Sequence, residues 1–219
     1  MLKILIVTDS LGLPRENGQY ESTWPVIIKQ QFSDYEYITL NIGGMTSSEL
    51  VSQLSYYDKF EPILVIIQDG IVDCAPRAVK KNETLRKLSL KSITKLNKSF
   101  GDKLFSFLIK YRCASHVPID LFKKNIEKVK SQFSCPVLWI EIVSATYLED
   151  LLPGALGKIA NYNNALDDMY NANFVKLPTI DDSCFIADGH HLSTKGHKEV
   201  ANYLCAKILS VLNKTTQRD

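Results

Sequence analysis

The sequence predicts an α/β domain built on a doubly wound, mainly parallel five-stranded sheet, with a helical insertion between the third and fourth strands. Short, nearly continuous apolar runs alternate with amphipathic segments of helical length, the pattern of strands buried on both faces of a parallel sheet. The 219 residues are 45% hydrophobic and 23% charged, with only ten Gly and eight Pro. That composition suits one large globular domain and excludes disordered, collagenous and coiled-coil chains.

The expected strands are Lys3 to Thr8, Tyr35 to Ile42, Ile63 to Ile67, Pro136 to Ile142 and, more weakly, Asn173 to Leu177. Helices are expected over Thr23 to Phe32, Ser47 to Tyr57 and Ser193 to Leu212. The last carries Val200, Leu204, Ile208 and Val211 on one face, and Ser or Thr stands at the N-caps. The segment between the third and fourth strands is longer than one crossover helix needs. It resolves into three helical candidates, Thr84 to Leu96, Asp102 to Arg112 and Pro118 to Phe133, and the third keeps Phe122, Ile126, Val129 and Phe133 on one side. With no repeat, low-complexity tract or linker, residues 1–219 read as a single domain carrying a basic helical insertion over approximately 77–133.

Charge and cysteine usage narrow the function classes. The net charge is only +2, but Arg77 to Lys130 holds 15 Lys and Arg against four acids, a net of +11 that leaves −9 elsewhere. Lys87, Lys91, Lys95 and Lys98 recur at helical spacing. They form either a solvated face or a stripe that meets an anionic ligand such as a glycan, a phosphorylated cofactor or lipid headgroups. No run approaches the roughly 18 apolar residues of a membrane span, and nothing resembling a signal peptide precedes the first strand, so a cytoplasmic protein is expected. The five cysteines are scattered without a CxxC pair, which predicts reduced thiols and no metal site. A nucleotide or flavin cradle is a third, disfavoured reading: there is no GxGxxG or Walker lysine, and Asp9 to Pro14 contains only Gly12. No nucleic-acid partner is expected.

In an open doubly wound sheet, ligands bind beyond the carboxyl ends of the strands. Those ends carry Thr8-Asp9-Ser10, then Gly43-Gly44, then Gln68-Asp69-Gly70 with Asp73, and a further cluster, Asp188-Gly189-His190-His191, precedes the final helix. Ser10 stands where a nucleophile would, with its own backbone N–H available to a substrate oxygen. A serine hydroxyl needs a base that is itself oriented by a carboxylate, and His191 with Asp188 three residues earlier can supply that pair. Taken singly, a serine after a strand can be a helix cap and an Asp-x-x-His turn a local bend. Their joint occurrence with the Gly pair favours chemistry.

These residues resemble the SGNH/GDSL hydrolases, esterases and lipases on a flavodoxin-like sheet, over nearly the whole chain. The family's strand followed by G-D-S looks like Val7-Thr8-Asp9-Ser10-Leu11, with Thr8 in place of Gly. Its Asn-then-Gly block looks like Asn41-Ile42-Gly43-Gly44-Met45-Thr46, and D-x-x-H is Asp188-Gly189-His190-His191, followed by Lys195-Gly196-His197. The resemblance implies Ser10 as nucleophile, His191 as base, Asp188 as its orienting acid and the N–H groups of Ser10 and Gly44 as oxyanion donors. His190 and His197 are left as helix-start or packing residues. The family's G-x-N-D looks like Gly70-Ile71-Val72-Asp73, so Val72 replaces the Asn that completes the oxyanion hole. Gln68, Arg15 and Arg77 are the candidate replacements, Arg77 being equally readable as an ion-pair partner of Asp73; Asp9, Gly70 and Asp73 complete the substrate-site candidates. The expectation is hydrolysis of a short, acetyl-type ester of a sugar or small metabolite without metal or organic cofactor. The alternatives are acyl transfer on the same triad and a catalytically silent binding module working through the basic insertion.

Overall fold

A computed structural model of the protein describes residues 1–15, 18–77, 114–178 and 180–216. The helical candidates at 84–96 and 102–112, the lysine stripe and Cys113 lie outside the described residues. Five parallel strands, β1 (Lys3–Thr8), β2 (Glu36–Asn41), β3 (Leu64–Gln68), β4 (Val137–Ile140) and β5 (Phe174–Val175), form one sheet in the order β2-β1-β3-β4-β5. The fold is α/β and doubly wound, as the alternating pattern predicts. Val7 in the interior strand β1 aligns with Leu40 on one side and Ile67 on the other. Because the chain steps from β1 outward to β2 and then back across to β3, the carboxyl end of β1 is the topological switch point where such sheets bind ligands.

Strand alternation sorts the core into two layers. Leu5, Val7, Val65, Ile67 and Trp139 face α2 (Ser47–Tyr57), α4 (Ile119–Gln132) and α6 (Ala155–Tyr170). Ile4, Ile6, Leu64, Ile66, Leu138 and Ile140 face α1 (Trp24–Gln31) and the final helix, α7 (Thr194–Thr216). The remaining short helices are α3 (Ile71–Cys74), directly after β3, and α5 (Leu148–Leu151). Thr46 starts α2 with a capping box: its side chain accepts from the Glu49 N–H while the Glu49 carboxylate accepts from the Thr46 N–H.

Helix α6 is the longest helix the sequence pattern does not predict, beside the short α3 and α5. Asn161, Asn163, Asn164 and Gly157 are poor helix formers, and tertiary contacts stabilise the helix instead. Asn163 mimics a neighbouring strand: its Oδ1 accepts from Ile142 N and its Nδ2 donates to Ile142 O, both at 2.9 Å. The Tyr162 hydroxyl donates to the Val117 carbonyl, tying α6 to the start of α4. Among the described residues no helix is long and apolar enough to cross a membrane.

Candidate functional site

Strand β1 ends at Thr8, and the Asp9 N–H still pairs with the Gln68 carbonyl at 3.0 Å. The chain then turns sharply. The Asp9 carboxylate accepts from the Leu11 N–H at 2.8 Å and caps a single 3-10 turn over Ser10–Gly12. That turn lifts Ser10 off the sheet edge, 6% exposed. Gly12 belongs to the same construction, because a Cβ there would overlap the Thr8 hydroxyl. Thr8 is thus accommodated in a position where the resembled family has Gly.

The loop before α7 brings the partners of Ser10. Phe185 and Leu192 form an antiparallel bridge, and Ile186 N donates to His191 O, so residues 186–191 are held as a closed turn. Asp188 uses both oxygens inside it. Oδ1 accepts from the N–H groups of His190 and His191, and Oδ2 lies 2.6 Å from His191 Nδ1. The other ring nitrogen, Nε2, lies 2.9 Å from Ser10 Oγ. Burial works against charge on Asp188, but the hydrogen bonds from His191 and His190 outweigh it and hold the carboxyl below its ordinary value. Burial likewise pushes the His191 imidazole below its ordinary value, against the pull of Asp188. The result is a neutral imidazole that donates from Nδ1 to a carboxylate and presents the Nε2 lone pair to a hydroxyl. Such a chain of groups can activate serine as a nucleophile.

Ser10 and His191 open onto a cavity of about 330 Å³. Gly44 is on its wall with φ +77, a left-handed conformation that glycine adopts without strain, and nothing lies within 4 Å of where its Cβ would be. Among the described residues neither the Ser10 N–H nor the Gly44 N–H donates to a partner. Unpaired backbone donors beside a cavity are rare and available to a ligand oxygen. Arg15 and Arg77 reach the same cavity, together with Val72, His116, His190, Leu148 and Leu152. Neither His116 nor the Leu148–Leu152 wall is marked in the sequence as belonging to a site. His190, expected to pack at the start of the helix, instead faces the cavity with its ring 4.1 Å from that of His191.

Four substrate-site candidates fall behind the cavity rather than in it. Gln68 shares the side of β3 that carries Leu64 and Ile66, so it points toward α1, where its Oε1 accepts from Trp24 Nε1 at 2.6 Å. It is 1% exposed and so is not available as the replacement oxyanion donor that the resemblance calls for. Asp9 is fully buried and spends its carboxylate on the turn. Asp73 is fully buried and accepts from Ser47 N and Ser47 Oγ at the start of α2, while Asn125 donates to the same Ser47 hydroxyl. Its carboxylate therefore ties α3 to α2 and α4. Gly70 packs against the Ile142 side chain at φ +130, a backbone conformation that residues with side chains rarely adopt. His197 is structural as well. Its Nδ1 accepts from Trp24 N, and burial pushes it down to about 4.

Asp9, Asp69 and Asp73 form a buried acidic floor beneath the site. Burial raises all three: Asp9 and Asp73 to about 7, and Asp69 well above its ordinary value, helped by the charges of the other two. The folded state therefore binds more protons than the unfolded chain. Stability from these groups is fully present below the ordinary value of 3.8 and is lost as pH rises through about 7. Asp69→Asn removes one of the charges and is expected to raise the thermal midpoint more at pH 8.5 than at pH 5.5. Equal shifts at the two pH values would refute the buried-charge account.

No protein-family model matches the chain, and no curated protein sequence matches it significantly. Solved structures do match. A lipase/acylhydrolase from Enterococcus faecalis superposes with a TM-score of 0.63 at 14% identity, covering 95% of each chain. An acetylxylan esterase from Geobacillus stearothermophilus gives 0.60 at 13% identity over 94% of each chain. A psychrotrophic esterase from a Pseudoalteromonas species, also captured inhibited by monoethylphosphonate, gives 0.59 at 16% identity over 96% of this chain and 98% of that one. The fold is that of the SGNH/GDSL hydrolases.

Proposed function

We propose that the protein is a serine ester hydrolase in which Ser10, His191 and Asp188 act through an acyl-enzyme on short acyl esters of sugars or other small metabolites. One observation carries the reading. The hydrogen-bonded path from Ser10 Oγ through His191 to Asp188, at 2.9 and 2.6 Å, ends at a cavity in which two backbone N–H groups stand unbonded among the described residues. His191 Nε2 takes the Ser10 proton as Oγ bonds to the acyl carbon, and the new oxyanion accepts from the N–H groups of Ser10 and Gly44. Collapse breaks the bond to the alcohol oxygen, which leaves with the proton from His191. Water then repeats the sequence on the acyl-enzyme, releasing the acid and restoring Ser10.

Val72 stands where a third oxyanion donor would be, and losing one such donor costs roughly 10²- to 10³-fold in rate elsewhere. Arg15, Arg77 and His116, all on the cavity wall, are the groups able to offset that loss. The hydrogen-bonded path argues against a silent binding module. Support for a short acyl group comes from the cavity, which is at the small end of ligand pockets. The structural likeness to an acetylxylan esterase points the same way. With 4-nitrophenyl acetate and octanoate compared side by side, kcat/KM for the acetate is expected to be higher by about tenfold or more. The reverse ranking refutes the short-chain reading, and turnover of neither refutes the hydrolase.

A further inference from the structure

The cavity around Ser10 holds more cationic and donor groups than offsetting one lost oxyanion donor requires. Arg15 and Arg77 stand on its wall beside the imidazoles of His116 and His190, and no acid lines it among the described residues. Arg15 is exposed and makes no ion pair among the described residues. Its charge reaches the base, since it works against protonation of His191. Arg77 and His116 are brought to the cavity by backbone pairing, in which Arg77 N donates to Ala114 O at 2.8 Å. Two guanidinium groups on one small, partly apolar cavity repel each other and concentrate anions. Arg15 also makes the base less willing to accept a proton, so nothing in the proton transfer itself calls for it.

We infer that the ester this site hydrolyses carries an anionic group, a carboxylate or a phosphate, held by Arg15 and Arg77 while its acyl carbonyl faces Ser10. The inference rests on the ester-hydrolase reading above. Guanidinium forks match both anions, offering paired N–H donors to two oxygens at once. The apolar Val72, Leu148 and Leu152 leave the uncharged part of the substrate without polar partners, so orientation falls to the anion.

Three acetyl esters of similar size test the inference: neutral 2-acetoxyethanol, acetoxyacetate with a carboxylate, and 2-acetoxyethyl phosphate. At low ionic strength one or both anionic esters are expected to exceed the neutral one in kcat/KM by about tenfold or more, and added salt should narrow the gap. Whichever anion leads identifies the group. In Arg15→Met and, separately, Arg77→Met, the anionic-to-neutral ratio should fall toward one. Equal turnover of the three esters by the native protein, or ratios unchanged in both variants, overturns the charge selection alone. Turnover of none, with no fluorophosphonate adduct on Ser10, overturns the hydrolase reading and this one with it. An adduct without turnover of any of the three overturns the charge selection.

Discussion

Ser10→Ala and His191→Ala are each expected to lower ester turnover by about 10⁴-fold or more, the scale seen when either the nucleophile or the base of a serine triad is removed. Both should also abolish the single mass adduct that a fluorophosphonate probe leaves on the native protein. The two losses have different origins. Without Ser10 there is no oxygen to bond to the acyl carbon or to the probe's phosphorus. Without His191 the hydroxyl keeps its proton, because Nε2, 2.9 Å from Oγ, is the base positioned to take it. Folding should survive both changes: Ser10 Oγ bonds only to the imidazole among the described residues, and the turn that holds it is capped by Asp9. Intact-mass analysis beside a thermal melt separates the outcomes. An adduct persisting on Ser10→Ala would place the reactive group elsewhere and refute the assignment.

What could be read in the sequence follows from how local each signal is. The strands are nearly continuous apolar runs, weakest in the fifth, and all five are found in the sheet with ends within two residues of those expected. Asp188 and His191 are three residues apart, so one turn contains their interaction, and that turn is closed in the structure. Ser10 is less local. Its tie to His191 spans the whole fold, and only the parallel topology, which gathers the strand ends at one edge, makes the pairing foreseeable. Gln68 and Asp73 show where such reasoning fails. Chain position puts Gln68 at the end of β3 and Asp73 just beyond it, but strand alternation turns Gln68 toward Trp24, and the short α3 turns Asp73 toward Ser47. A strand end fixes a residue's neighbourhood, not the direction of its side chain. His116 had no local signal at all, because its place depends on the Arg77 to Ala114 pairing across the insertion. Helix α6 went unread because the Asn163 bonds to Ile142 that favour it are tertiary, whereas its intrinsic propensity is poor.

Asp188→Asn should leave the shape of the site nearly intact and still cost about 10⁴-fold in kcat/KM, because it reverses the tautomer of His191. The amide oxygen can keep accepting from the N–H groups of His190 and His191, as Oδ1 does in the native protein. The amide nitrogen then occupies the Oδ2 position, 2.6 Å from His191 Nδ1, and donates where a carboxylate accepted. Nδ1 becomes the acceptor, the proton moves to Nε2, and Nε2 now donates to Ser10 rather than taking its proton. The carboxylate has a second role that the amide cannot fill. It favours the imidazolium that forms as Ser10 attacks, against burial and the nearby His190, which hold His191 below its ordinary 6.5. In the native protein the base is therefore neutral at pH 7, and kcat/KM should fall on the acid side through an apparent pKa below 6.5. In Asp188→Asn that limb should move to still lower pH, since a force raising the imidazole is gone. A pH profile of both proteins on one acetyl ester tests rate and limb together. A loss smaller than about tenfold, or an acid limb displaced upward, would show that Asp188 does not orient the base.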